Sequence, residues 1–127
     1  MTMLDTSIIK VSITFNDPEL DSEEREEQAQ RLITELRQMD EVEDVGRVLD
    51  PSPPEGNKAI GGFLAGLLTA QVNGKNAGKL LGYLGNRLGG KPIEMKVEGN
   101  AKKLTVKVYS REELAAAVIA AKEFLAE

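Results

Sequence analysis

Residues 58–91 read KAIGGFLAGLLTAQVNGKNAGKLLGYLGNRLGGK, and the way this stretch folds decides the architecture of the chain. It holds nine of the twelve glycines, five basic residues and no acid. Glycine inside a helix costs up to about 1 kcal/mol relative to alanine, so nine of them call for a reason. Ile60, Phe63, Leu64, Leu67 and Leu68 recur at helical spacing, with Gly62 and Gly66 on the other side. Further on, Gly78, Gly82, Gly85 and Gly89 fall within about a 60° stripe at ~3.6 residues per turn, beside Leu81, Leu84 and Leu88. The spacing predicts two helices, 58–71 and 76–89, joined near Asn73-Gly74. Such a glycine-grooved hairpin has three readings: tight packing on a sheet, docking of a partner helix or a second copy, or contact with a membrane.

Working outward, Ile9, Val11, Ile13 and Phe15 alternate with Lys10, Ser12 and Thr14, which predicts a half-buried strand. Asn16-Asp17-Pro18 ends it. Asp21 or Ser22 then caps a helix, with Glu24 placed for a capping box and Ala29, Leu32, Ile33, Leu36 and Met39 as its inward stripe. A short strand is expected at Val45–Leu49, followed by the stiff connector Asp50-Pro51-Ser52-Pro53-Pro54-Glu55-Gly56. On the far side, Ile93, Met95 and Val97 alternate with Glu94, Lys96 and Glu98. Gly99-Asn100-Ala101 turns the chain, and Leu104, Val106 and Val108 alternate with Lys103, Thr105 and Lys107. This predicts a β-hairpin with Glu and Lys facing each other on its polar side. Ser110 and Glu113 form a second capping box, before a helix that buries Leu114, Ala117, Val118, Ala121 and Leu125. The expected order is β-α-β-α-α-β-β-α. An α/β (α+β) two-layer sandwich follows, with a four-stranded mixed sheet and helices on one face.

The chain has 127 residues and a net charge of −5, a length that suits a single domain over 1–127. The charge is uneven: residues 17–44 carry twelve acids and three bases, a net of −9, against +5 for 58–91. Cys and His are both absent, which excludes disulfides, thiolate nucleophiles, imidazole metal ligands and His-assisted serine catalysis. Only 4% of residues are aromatic, too few for base-stacking platforms, and the acidic balance argues against nucleic acid. The longest uncharged stretch, Ala59 to Gly74, spans 16 residues, short of the ~20 that a membrane-spanning helix needs. With no signal-like N-terminus, a cytoplasmic location is expected.

No motif adds catalytic chemistry. Gly74-Lys75-Asn76-Ala77-Gly78-Lys79 lacks the spacing and the following Ser or Thr of a phosphate-binding loop. Glu23, Glu24, Glu26 and Glu27 have no calcium-loop spacing and read as the favourable end of a helix dipole. The sequence therefore predicts no catalytic, cofactor-binding or metal-binding residues.

The Pro-rich connector at 50–56, then Gly61-Gly62 with Leu64 to Leu68, then Gly82-Tyr83-Leu84, and finally the Glu/Lys hairpin and last helix carry a family resemblance. The chain resembles the bacterial effector-associated constant component family, type one, from the first strand to the last helix. The resemblance implies a small non-enzymatic module of multi-component bacterial conflict systems. Such modules accompany effectors, often caspase-like or trypsin-like peptidases, in sensing or signal relay. The expected function is a non-catalytic adaptor that binds effector or sensor proteins, with self-association as a further partner mode. Its expected contact surface is Lys75, Lys79, Gly82, Tyr83, Asn86 and Arg87 on the basic hairpin. The alternative is a membrane-interacting module that uses the hairpin 58–91.

Overall fold

The computed structural model describes residues 8–49, 59–60, 63–99 and 101–126. Alternation builds its sheet. In β1 (Ile8–Phe15), Ile9, Val11, Ile13 and Phe15 are buried, while Lys10, Ser12 and Thr14 face the other way. The capping box of α1 (Ser22–Arg37) forms as predicted, with Asp21 accepting from the Glu24 N–H and Glu24 accepting from the Asp21 N–H. The inward stripe of α1 is Ala29, Leu32, Ile33 and Leu36. β2 (Val42–Leu49) begins earlier than its sequence pattern suggests. The connector 50–56 and Gly61-Gly62 lie outside the described residues.

The glycine-rich stretch departs from expectation. Where the spacing predicts a helix over 58–71, the described residues are strands, β3 (Ala59–Ile60) and β4 (Phe63–Asn73), and the second half is helical, as α2 (Gly74–Arg87). Both periods fit such a short apolar run. Leu68, Ala70 and Val72 alternate with Leu67, Thr69 and Gln71 as well as Leu64, Leu67 and Leu68 suit a helix. Tertiary context decides. β4 lies between β1 and β2, antiparallel to both, so its backbone groups find partners on each side. β-branched Thr69 and Val72 favour the strand, and Gly66, at φ +77°, has left the helical region altogether.

β5 (Ile93–Gly99), β6 (Lys102–Val108) and α3 (Arg111–Ala126) complete the chain as predicted. The Ser110 hydroxyl accepts the Glu113 N–H, but the Glu113 carboxylate reaches one residue further back, to the Tyr109 N–H. The observed order is β-α-β-β-β-α-β-β-α. The sheet has five main strands in the order β2-β4-β1-β5-β6, with β3 paired to β4. Every pairing is antiparallel, so the expected four-stranded mixed sheet is replaced by a larger antiparallel one. The reason is again β4: a strand in place of a helix joins β2 to β1. Leaving β3 aside, β1 to β5 trace the ferredoxin-like βαββαβ arrangement, and β6 and α3 are appended to it.

The buried residues described are all apolar and form one core between the sheet and the helices. α2 contributes Ala77, Leu80, Leu81 and Leu84, and α3 contributes the five residues predicted for it. Each buried Leu or Val among them is worth about 1.5–3 kcal/mol, and each Ala less. The glycine stripe of α2 faces α3: a Cβ on Gly85 would sit 3.3 Å from Val118 Cγ2. Close helix–helix approach is thus the use of at least this glycine.

Candidate functional site

Two carboxylates of the acidic helix α1 turn inward, and each takes an arginine. Near its start, Glu26 receives both terminal nitrogens of Arg47 from β2, together with the Gly66 N–H from β4. Arg47 Nε also donates to the Leu67 carbonyl, 3.1 Å away. The Arg47 and Glu26 side chains are only 9% and 13% exposed. Burial pulls the Arg47 pKa below its ordinary value. This pair ties α1 to the β2–β4 end of the sheet.

About two and a half turns later, Glu35 serves α2. Tyr83 Oη donates to Glu35 Oε1 at 2.7 Å, and Arg87 Nε donates to both carboxylate oxygens, at 2.6 and 3.0 Å. The hydrogen bond from Arg87 holds the Glu35 carboxyl below its ordinary pKa. Burial, and then Glu35, push the Tyr83 phenol up. The same carboxylate raises Arg87, while burial lowers Lys91 nearby. Lys79 Nζ lies 3.5 Å from Glu41, beyond the end of α1. Lys79 and Arg87, two of the five bases of 58–91, therefore pair with acids of 17–44 within one molecule, along the α1–α2 seam.

The six predicted contact residues divide accordingly. Lys75, Lys79 and Asn86 are exposed on α2. Tyr83 and Arg87 are half-buried and engaged by Glu35. A Cβ on Gly82 would meet Lys122 Nζ at 3.9 Å, so this glycine looks toward α3. All six lie on α2, the half of the predicted hairpin that does form, but they face different ways, toward solvent, toward Glu35 of α1 and toward α3. The hairpin as a whole is not formed. Its first half is a sheet strand, and the membrane-interacting alternative loses the element it was built on. No helix among the described residues is long and apolar enough to cross a membrane.

Sequence reasoning missed Glu26, Glu35 and Arg47 as partners. The only available signal was acid at the inward edge of the α1 stripe, next to Ala29 and Leu36. It also missed the open face of the sheet. There Lys10, Ser12, Thr14, Leu67, Thr69, Glu94, Lys96 and Glu98 line a shallow trough of about 530 Å³ that Arg47 closes at one side. Ser12 Oγ and Thr69 Oγ1 are hydrogen-bonded across its floor at 3.0 Å. Ser7-Ile8-Ile9-Lys10 has the spacing of a serine–lysine pair, which a helical turn would bring together. Ile8 to Lys10 are strand, and Ser7 lies outside the described residues. Among the described residues, no group of three acids could hold a metal ion.

No protein family, curated protein or solved structure was found to match the chain.

Proposed function

We propose that this chain is a non-catalytic adaptor or signal-relay module of a bacterial multi-component conflict system, which binds an effector or sensor protein. The effector class that the resemblance implies is a caspase-like or trypsin-like peptidase. One observation carries the reading: the outward side of α2 presents Lys75 and Lys79 one turn apart, at the rim of a polar seam rather than a deep pocket. Lys79 is 71% exposed and held only by Glu41 at 3.5 Å. An acidic surface of a partner would compete with Glu41 for it at little cost, since exposed ion pairs are worth about 0–1 kcal/mol. Tyr83, Glu35 and Arg87 lie just behind and would stiffen the surface rather than form the first contact.

Affinity capture from the native host, with the wild type and with Lys75→Glu/Lys79→Glu, tests this. A peptidase-like effector or a sensor protein recovered by the wild type and lost by the charge reversal supports the reading. The same partner recovered equally by both variants overturns the surface. Recovery of no effector or sensor under conditions where the conflict system is expressed overturns the function. Gly82→Leu is not a useful probe, because it would disturb the α2–α3 packing.

A further inference from the structure

Among the described residues the sheet ends at β6, which pairs with β5 alone. Its pleat sorts three kinds of side chain. Val108 is buried under the helices, whereas Leu104 and Val106 on the same side are only partly covered. Lys103, Thr105 and Lys107 stand exposed on the open face. Such an edge is a template for another strand unless something opposes it.

The rows across the sheet state what would fit. One row runs Gln71, Lys10, Glu98, Lys103, and another runs Leu67, Thr14, Glu94, Lys107. Both rows end on a glutamate followed by an edge lysine. Within the chain, β6 is matched by Glu94-Met95-Lys96-Val97-Glu98. Its acids lie four residues apart opposite Lys107 and Lys103, and its apolar residues lie opposite Val106 and Leu104. Lys107 Nζ is 3.9 Å from Glu94 yet 63% exposed, so it can face a second acid on its other side.

We infer that the β6 edge accepts an extended acidic segment of a protein partner as an added strand. Its pattern is acid, apolar, any residue, apolar, acid. The backbone would supply the affinity and the two acids the specificity. The apolar pair would lie beside Leu104 and Val106 and complete their burial. A second copy of this chain is opposed by its own charges. Two β6 strands paired antiparallel about Thr105 would set Lys103 directly opposite Lys107, a repulsive arrangement. This surface is separate from α2, so the inference does not depend on the adaptor reading.

The test uses the whole chain and a synthetic peptide, acetyl-Ile-Glu-Met-Lys-Val-Glu-Gly-amide, with a control in which both glutamates are lysine. Amide hydrogen exchange is followed residue by residue. The expected result is saturable slowing of the outward amides of β6 by the acidic peptide alone, with β5 amides unchanged. Lys103→Glu/Lys107→Glu should weaken the acidic peptide roughly ten-fold, from two cross-strand attractions turned to repulsions, and should admit the lysine peptide. The reversal also sets glutamates opposite Glu94 and Glu98 of β5, so unchanged β5 protection is required of the variant. Lys103→Gln/Lys107→Gln, which adds no like-charge pair, should weaken the acidic peptide in the same direction. Four results overturn the inference: no slowing in β6 at millimolar peptide, equal binding of the two peptides, loss of protection in β5, or concentration-dependent protection of β6 without peptide. The third would mean strand exchange, and the fourth self-association.

Discussion

The two halves of the glycine-rich stretch meet opposite fates. Residues 63–73 form a central strand, and residues 74–87 form a helix on the layer above it. Both are held by the same acidic helix, through different carboxylates. Glu26 grips the strand end through Arg47 and the Gly66 N–H, in a site almost closed to water. Glu35 grips α2 through Tyr83 and Arg87, in a site about a third exposed. The same kind of pair thus sits in two dielectrics. Removing one partner of a desolvated pair strands a charge, while removing one partner of a wet pair returns it to water.

The largest expected effect tests that difference. Glu26→Ala takes the carboxylate from Arg47 and the acceptor from Gly66, and should destabilise the fold by about 3 kcal/mol, read from urea unfolding. Glu26→Ala/Arg47→Ala should recover part of the loss, because the buried charge goes too. Additive losses in the double variant would mean that the two groups do not act as a pair.

Gly66 is the next point of contrast. Its φ of +77° suits glycine, and a Cβ there would lie 3.1 Å from the Phe15 carbonyl oxygen and from Arg25 Cβ. Left-handed backbone costs another residue about 1–2 kcal/mol, and the close approach adds to it, so Gly66→Ala should lose about 2 kcal/mol. A stability equal to wild type would show that the turn in β4 relaxes freely.

How much of this was legible follows the same division. Alternation in β1, β5 and β6 found those strands and their inward faces, because each has one wet side and so only one period fits. The capping box of α1 and the Ser110 cap of α3 were visible, because these interactions span only three residues. β4 was not legible: Leu67 stands on the open face where β1 carries a polar residue, and Leu64-Ala65-Gly66-Leu67-Leu68 satisfies either period. Mistaking it cost the strand count and the antiparallel sheet. The Glu26–Arg47 and Glu35–Arg87 pairs were not legible for another reason. Their partners are 21 and 52 residues apart, and a place at the inward edge of the α1 stripe marks Glu26 and Glu35 without naming those partners. What the sequence did show was the charge imbalance that these pairs help to settle.

Glu35→Gln should cost about 1 kcal/mol at neutral pH, within the range for a partly exposed pair. Its pH dependence is the sharper signature. The Glu35 pKa is lowered in the fold, chiefly by the Arg87 hydrogen bond. Its contribution is therefore present above the unfolded glutamate pKa and lost as pH falls through the folded value. The gap between wild type and Glu35→Gln should be widest near neutrality and close in acid, below about pH 4. A gap that stays constant through that range would show that Glu35 contributes through packing rather than charge.

The smallest effect has the opposite sign and separates strand from helix most cleanly. Gly78 lies in the interior of α2, and a Cβ there would meet nothing within 4 Å. Gly78→Ala should then stabilise by up to about 1 kcal/mol, the ordinary gain of alanine over glycine in a helix. Gly85, two turns on, carries the same propensity gain, but its Cβ would press Val118 Cγ2 at 3.3 Å. Val118 must yield by a few tenths of an ångström in a close-packed contact, so Gly85→Ala should gain less than Gly78→Ala or lose outright. Thermal unfolding of the two variants decides whether the stripe is a packing device. An equal gain at both positions would show that α3 does not need the glycine at 85. A loss confined to Gly85→Ala would show that the glycines of α2 are spent on approach to α3 at that position and remain optional at 78.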